Sequence, residues 1–175
     1  MNLFELVNQR KTKESTTQIT QFIGKNKTRF QELIDFFING NPKTSHTCSY
    51  AIIELAINNP DLLDSYHQKF INLLEDPSNP DGVRRNIARL YQTCIITDSI
   101  EGRLFEICVH LITNPKEPIA IRAYSMTVCE RIAIKYPELN QELQSAIEAT
   151  LPYGSAGMKN RGLKILKKNQ KKKPR

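Results

Sequence analysis

Residues 76–90 read Asp-Pro-Ser-Asn-Pro-Asp-Gly-Val-Arg-Arg-Asn-Ile-Ala-Arg-Leu, and this stretch decides how the rest of the chain is interpreted. Proline stops a helix and pushes the residue before it out of the helical region, yet it is tolerated in the first turn of a helix. Pro77 and Pro80 therefore predict the end of one helix, a short turn, and a second helix that begins near Asp81.

The same pattern recurs at a fixed distance along the chain. Pro80 has a counterpart 38 residues earlier, Pro42, and another 38 residues later, Pro118. At the same offset, Arg84 matches Arg122. Self-similarity at a period of about 20 to 50 residues indicates a repeat protein. One unit of this length has room for two helices and their turns.

Apolar residues recur every three or four positions through most of the chain, which is the spacing of one face of a helix. Phe70, Leu73 and Leu74 follow this spacing, and no alternating strand pattern occurs. The sequence therefore predicts an all-α protein. The predicted helices cover residues 3–10, 15–24, 27–38, 44–58, 61–75, 81–95, 100–113, 119–135, 137–150 and 155–168.

Each predicted pair of helices has an apolar stripe that it cannot bury alone, so neighbouring pairs are expected to stack on a continuous core. With 175 residues the chain is long enough for one domain. We predict a single helical-repeat domain over residues 1–168. Residues 169–175 are polar and charged, and we predict a disordered basic tail there.

Two stretches resemble the HEAT repeat, in which a helix ends in Leu-Leu-x-Asp-Pro and the next opens with Val-Arg. The first runs through residues 73–77 and continues with Pro80, Val83, Arg84 and Ala88. The second match spans residues 105–133 and is carried by Asn114, Pro115, Pro118, Ile121, Arg122 and Ala133. The terminal units depart from the pattern, since His46 and Asn160 stand where the arginine is expected.

This resemblance covers about residues 27–166. It implies an armadillo-like, right-handed α-α superhelix of about four HEAT-like hairpins with an N-terminal helical cap. The resemblance also implies that the second helix of each pair lines a concave face. Terminal units are expected to be atypical because they cap the stack.

Residues 116–128 are also similar to a stretch in small bacterial HEAT-like proteins, some of which carry the name adenylosuccinate lyase. The signature of that lyase superfamily is Gly-Ser-Ser-x-Met-Pro-x-Lys-x-Asn. Residues 154–160, Gly-Ser-Ala-Gly-Met-Lys-Asn, echo it but lack the proline and shift the lysine. The chain is also too short for the helical bundle of that enzyme. We therefore interpret the segment as a turn and a helix start.

The net charge of +7 is concentrated near the C-terminus. From residue 164 onward there are seven basic residues and no acidic one, whereas the rest of the chain is formally neutral. Such a run, which includes Lys171, Lys172 and Lys173, can attract nucleic acid without sequence specificity. It can equally serve only to keep the chain soluble.

Arg85 and Arg89 lie one helical turn apart and are expected near the concave face. Arg131, Arg161 and Lys168 are expected on the same side further along, where together they form a candidate basic groove for phosphate or an acidic peptide. A solvated face without a ligand is the competing interpretation. Arg84 and Arg122 open equivalent helices, and we expect them to bond to carbonyls or to an acid in the adjoining turn.

Several function classes find no support in the sequence. No motif pairs a nucleophile with a base, no phosphate-binding glycine loop occurs, and no Cys or His spacing indicates a metal or a cofactor. The apolar windows are too short for a membrane span, and the N-terminus lacks the order of a secretory signal. The four cysteines lie among apolar residues and are expected to be buried thiols in a cytoplasmic protein.

Two functions remain. The first is a non-catalytic HEAT-like scaffold that binds a protein or peptide partner on its concave face. The alternative is a nucleic-acid-associated protein that uses the basic tail and the Arg-bearing concave face. The sequence leaves the partner and the oligomeric state open.

Overall fold

The computed structural model describes residues 2–171, and over this range helices joined by turns and loops make up the chain, without a strand. Three short 3₁₀ helices also occur in this range, at Pro60–Leu62, Pro137–Leu139 and Leu151–Tyr153. The prediction of an all-α protein is therefore confirmed. The ten α-helices of the described range are α1 (Leu3–Val7), α2 (Lys13–Ile23), α3 (Lys27–Asn39), α4 (Pro42–Asn58), α5 (His67–Glu75), α6 (Asp81–Leu90), α7 (Asp98–Thr113), α8 (Ile119–Lys135), α9 (Asn140–Thr150) and α10 (Ala156–Lys171).

The chain divides into two compact units, the first of which ends at Ile95. In this unit α3 packs against α4, α5 packs against α6, and the second helices α4 and α6 pack on each other. Aromatic rings link the two first helices, because Phe37 meets Phe70 edge-on at 6.0 Å between ring centroids. Two stacked helical hairpins thus share one apolar core in this unit.

The second unit begins at Ile96 and holds α7 to α10. Here α7 packs against α8 and α9, and α8 packs against α9 and α10. First helices therefore lie beside first helices, and second helices beside second helices. This arrangement buries the apolar stripe of each hairpin on its neighbour. That the two units act as a single domain stays a prediction.

The 38-residue period predicted from the prolines extends to individual hydrogen bonds. The side chain of Asp76 accepts a bond from the backbone N–H of Ser78 at 2.9 Å. At the equivalent place the side chain of Asn114 accepts one from Lys116 at 3.0 Å. Both residues end a helix in an extended conformation with nearly equal dihedral angles. The recurring turn is thus stabilised by a side chain that bonds two residues ahead.

Two predicted helix starts were wrong for the same reason. Pro60 and Pro137 each open a 3₁₀ turn, and the α-helices begin only at His67 and Asn140. Leu62 and Leu63 are buried although neither belongs to an α-helix. The spacing of apolar residues could not distinguish a 3₁₀ turn from an α-helix at Pro60, because either conformation can bury Leu62 and Leu63.

Two predicted helix ends also differ from the structure. Helix α6 ends at Leu90, and the turn that follows still buries Tyr91 and Cys94. Helix α10 continues through Lys171, so that Asn169, the predicted first residue of the tail, lies inside a helix. Residues 172–175 of the predicted tail lie outside the described residues.

The four cysteines are buried free thiols, as predicted, namely Cys48, Cys94, Cys108 and Cys129. Burial raises the pKa of the Cys48 thiol to about 12, which keeps it protonated and unreactive at neutral pH. The pKa of Cys129 is also raised, first by burial and then by the neighbouring Cys108.

His67 makes the stability of the first unit sensitive to pH. Its ring is buried and its Nδ1 lies 3.1 Å from the hydroxyl of Tyr91. Burial lowers the pKa of His67 below the ordinary value of 6.5, although the charge of Asp64 opposes this effect. The unfolded chain therefore binds more protons between the two pKa values, so that acidification favours unfolding.

We expect the free energy of unfolding to fall as the pH decreases from about 7.5 to about 5.5, and to fall less in a His67→Gln variant. Urea titrations at several pH values measure both slopes. The exposed, uncharged Gln68 of the same helix supplies the control, since Gln68→Ala should leave the slope of the wild type unchanged. Equal slopes for His67→Gln and the wild type would contradict the assignment.

Candidate binding surface

The two repeat arginines serve the fold. The Nε of Arg84 donates to the carbonyl oxygen of Leu74 at 3.0 Å, and the Nε of Arg122 donates to that of Ile112 at 2.9 Å. Both side chains are buried, and a guanidinium nitrogen of Arg84 also lies 3.8 Å from Asp81. Each arginine satisfies a carbonyl at the end of the preceding helix, where no intrahelical donor remains. The predicted structural role is confirmed.

A group of cationic and aromatic side chains lies between α4, α6 and the segment that joins α1 to α2. We call this group, which consists of Lys11, His46, Tyr50, Arg85 and Arg89, the Tyr50 cluster. The Nζ of Lys11 lies 3.6 Å from the centroid of the Tyr50 ring, and the guanidinium carbon of Arg89 lies 3.9 Å from it. His46 meets the same ring edge-on at 5.1 Å.

The Tyr50 cluster holds the Arg89 guanidinium in a defined orientation. One terminal nitrogen donates to the hydroxyl of Ser49 at 2.8 Å while the group stacks on the ring. Within residues 2–171, the Nε of Arg89 and the Nδ1 of His46 have no hydrogen-bond partner although both atoms are buried. No acidic residue of the described range forms an ion pair with Lys11, Arg85 or Arg89.

The electrostatic potential at the Tyr50 cluster is positive. Burial lowers the pKa of His46, and the charges of Arg89, Arg85 and Lys11 lower it further. The imidazole is therefore neutral at pH 7 and can still accept or donate a hydrogen bond.

Two predicted basic residues of the second unit also contact the neighbouring helix, and the guanidinium carbon of Arg161 lies 5.3 Å from the centroid of the Tyr124 ring. Arg161 donates to the carbonyl oxygen of Ala123 at 3.0 Å and to the hydroxyl of Thr127 at 3.1 Å. Lys168 donates to the carboxylate of Glu130 at 2.8 Å. Arg131 lies half-buried on α8. These contacts join α10 to α8, so that Arg161 and Lys168 contribute to the packing of that unit.

Of the predicted groove residues, Arg85 and Arg89 therefore lie on one helix of the first unit, in the Tyr50 cluster. Sequence reasoning missed Lys11, His46 and Tyr50 as members. The sequence signal that could have revealed them is the pair His46 and Tyr50, which lie four residues apart on α4. For the tail, the backbone of Lys171 ends α10, whereas Lys172 and Lys173 lie outside the described residues.

A cleft of the first unit lies between α1, α3 and α4. This cleft, which we call the Phe4 cleft, has a volume of about 460 Å³. Phe4 is 61% exposed and its ring lies 6.2 Å from that of Phe36, while Glu32 and Asp35 supply negative charge.

One charge network in the second unit, in which only Glu101 is buried, is structural. Glu101 accepts hydrogen bonds from the Nζ of Lys135 at 2.9 Å and from the hydroxyl of Tyr136 at 2.7 Å. Lys135 also donates to Asp98 at 2.6 Å, and these bonds raise the pKa of Lys135. The network ties the last turn of α8 to the first turn of α7, where charges of these signs also suit the helix dipoles.

Within residues 2–171, no group of His, Cys, Asp and Glu side chains could hold a metal ion. Over the same range, every helix is too short or too polar to cross a membrane.

Stacked helical hairpins, with an arginine that recurs at the same place in each of two hairpins, define the class of all-α tandem-repeat proteins. A model of the HEAT repeat domain matches residues 4–171, and the chain therefore belongs to the HEAT repeat family. No curated protein and no solved structure matches the chain.

Proposed function

We propose that the chain is a non-catalytic scaffold that binds a protein or peptide partner on the face formed by its second helices. Membership of the HEAT repeat family supports the scaffold, because such repeats often mediate protein interactions. We also propose the geometry of the scaffold. About four hairpins form a right-handed superhelix, the N-terminal helices cap it, and the second helices line its concave side.

The observation that carries the proposal is the Tyr50 cluster on α4 and α6. The fold does not require two cations against one ring, whereas Arg84 and Arg122 satisfy backbone carbonyls. Amphipathic aromatic and arginine side chains are also the types that contribute most to protein interfaces. A second helix that presents them is therefore better explained by a partner than by packing.

For the alternative function, nucleic-acid association, fewer cations are available to contact phosphates than the sequence indicates. Arg161 and Lys168 are bonded to residues of their own unit. A nucleic-acid backbone needs several unengaged cations along its path, because each phosphate contact adds only a part of the binding free energy. Protein binding is therefore the proposal that the contacts favour.

Site-specific photo-crosslinking tests the proposal. A photoreactive amino acid replaces Glu54, which is exposed one turn after Tyr50 on α4, or Lys69, which is exposed on the first helix α5. We expect protein adducts from position 54 in cells, and few or none from position 69. Equal adduct yields from the two positions, or adducts that nuclease treatment removes, would contradict protein binding by the second helices.

The contribution of the tail requires a truncation that spares the fold. Ile165 of α10 is buried, so removal of residues 164–175 would also remove part of the core. A chain that ends at Lys171 keeps the whole described helix. If the proposal holds, this truncation retains the protein adducts from position 54.

A further inference from the structure

The Tyr50 cluster brings like charges close together, and no ion pair with an acidic residue of the described range offsets them. The Nζ of Lys11 lies 3.6 Å and the guanidinium carbon of Arg89 lies 3.9 Å from the centroid of the Tyr50 ring. The attraction of each cation to the ring offsets part of their mutual repulsion. An anion at the edge of the ring, within reach of both cations, would reduce the remaining repulsion.

The cluster is also organised in advance of binding. Stacking on Tyr50 and the bond to Ser49 orient the Arg89 guanidinium, a planar group with five N–H donors, only one of which Ser49 uses. The planar arrangement of the guanidinium donors matches the two oxygens of a carboxylate or phosphate. Because the side chain is already ordered, an incoming anion loses less free energy to the immobilisation of Arg89.

The hairpin of α3 and α4 lacks the repeat arginine and has His46 in its place. His46 stands 38 residues before Arg84, at the position where Arg84 and Arg122 each bond to a carbonyl. Its Nδ1 is buried without a partner in residues 2–171. His46 therefore lacks the stabilising bond of the repeat, and because its Nδ1 is buried, its Nε2 is the ring nitrogen that can donate to an anionic ligand beside the three cations.

The size of the cluster limits what it can recognise. It presents Arg89 and Lys11 at a single ring, with Arg85 near enough to act on His46, and the cations of the second unit, Arg161 and Lys168, have partners within that unit. A cluster of this extent suits one anionic group better than a run of phosphates. The aromatic ring beside the cations provides contact for the apolar part of a peptide side chain.

From these observations we propose that the Tyr50 cluster binds one anionic side chain of a partner protein, either a carboxylate or a phosphorylated residue. This inference rests on the proposed scaffold function and specifies the chemistry that the partner presents. Arg89 and Lys11 neutralise the anion, Arg85 adds charge from the neighbouring turn of α6, and His46 contributes a hydrogen bond.

Chemical-shift titration of the full chain tests the anion site directly. The probes are acetylated and amidated phosphoserine, glutamate and serine, together with inorganic phosphate and a 12-nucleotide single-stranded DNA. We expect phosphoserine or glutamate to shift amide signals of residues 46–50 and 85–89 with dissociation constants on the order of 1 mM, and serine to shift none. Comparable shifts with phosphoserine and inorganic phosphate, but not glutamate, assign the site to a phosphorylated side chain.

Variants separate this site from a general attraction of anions to a basic protein. Arg89→Gln retains a hydrogen-bond donor for Ser49 but loses the charge, and we expect it to weaken binding of the effective probe about tenfold. Lys69→Gln removes an exposed cation of the same unit outside the cluster and should change the affinity less than twofold. If Tyr50→Leu folds poorly, Arg89→Gln and Arg85→Gln still test the site.

The crosslinking assay then distinguishes two failures. Loss of the position-54 protein adducts in Arg89→Gln, but not in Lys69→Gln, supports the inference. Adducts that persist in Arg89→Gln overturn the anion site and leave the scaffold function intact. Absence of any protein adduct from the wild type overturns the scaffold function and the inference with it. DNA that outcompetes the phosphoserine probe at residues 46–50 and 85–89 overturns the inference in favour of nucleic acid.

Discussion

Replacing Arg84 by alanine is expected to lower the free energy of unfolding by roughly 3 kcal/mol. The side chain is 1% exposed, and its loss leaves a cavity in the core of the first unit. The change also deprives the carbonyl of Leu74 of a charge-assisted hydrogen bond, and a buried acceptor without a partner is costly. Urea denaturation followed by circular dichroism measures the loss, and hydrogen exchange should place it in α5 and α6.

Two further variants make the Arg84 result interpretable. Lys69→Ala removes an exposed cation of the same unit and should change stability by less than about 0.5 kcal/mol. Arg122→Ala removes the equivalent bond to Ile112 and should destabilise the second unit by a similar amount. If Arg84→Ala unfolds at the urea concentration of the wild type but alters partner binding, Arg84 is a ligand contact and its structural assignment is wrong.

Leucine at Gly162 is expected to destabilise the second unit by roughly 3 kcal/mol, because α10 packs very closely on its neighbours there. A Cβ at this position would lie 2.8 Å from a methyl carbon of Ile147 and 3.1 Å from one of Leu151, so even the first side-chain atom displaces α9. Helix packing at this distance therefore depends on the absence of a side chain. Thermal or urea unfolding measures the effect.

Gly102 provides the matched comparison for Gly162, since it also lies within a helix of the second unit. Nothing lies within 4 Å of a Cβ built on Gly102. Gly102→Leu should therefore raise stability by about 0.5 to 1 kcal/mol, as expected when a helix former replaces glycine at an exposed site. If both variants lose a similar amount of stability, close packing at Gly162 is not the reason for the loss.

Two kinds of arginine occur on the second helices of this chain. Arg84 and Arg122 recur with the period and satisfy the backbone, so a change there costs stability. Arg89 lies on the same helix as Arg84, but its guanidinium stacks on Tyr50 of the neighbouring second helix. Under the proposed function, a position outside the period contacts the partner while the periodic positions stabilise the fold.

The sequence by itself determined the helical class, the 38-residue period and the structural role of the repeat arginines. These features are local: proline and asparagine set the turns, and apolar spacing sets the buried face of each helix. The same local signals erred at residues 61 and 137, since Pro60 and Pro137 begin 3₁₀ turns and the α-helices start only after them.

Only the tertiary structure decided what each cation contacts. Arg161 and Lys168 reach Ala123 and Glu130 on the helix beside them, whereas Arg89 reaches Ser49 and the Tyr50 ring, which Lys11 also contacts. The Tyr50 cluster joins three segments that lie up to about 80 residues apart, Lys11, the α4 pair and the α6 arginines. Charge pairing and ring stacking depend on distances of a few ångströms between separate elements. Such distances follow from how helices pack, which no local pattern of residues contains.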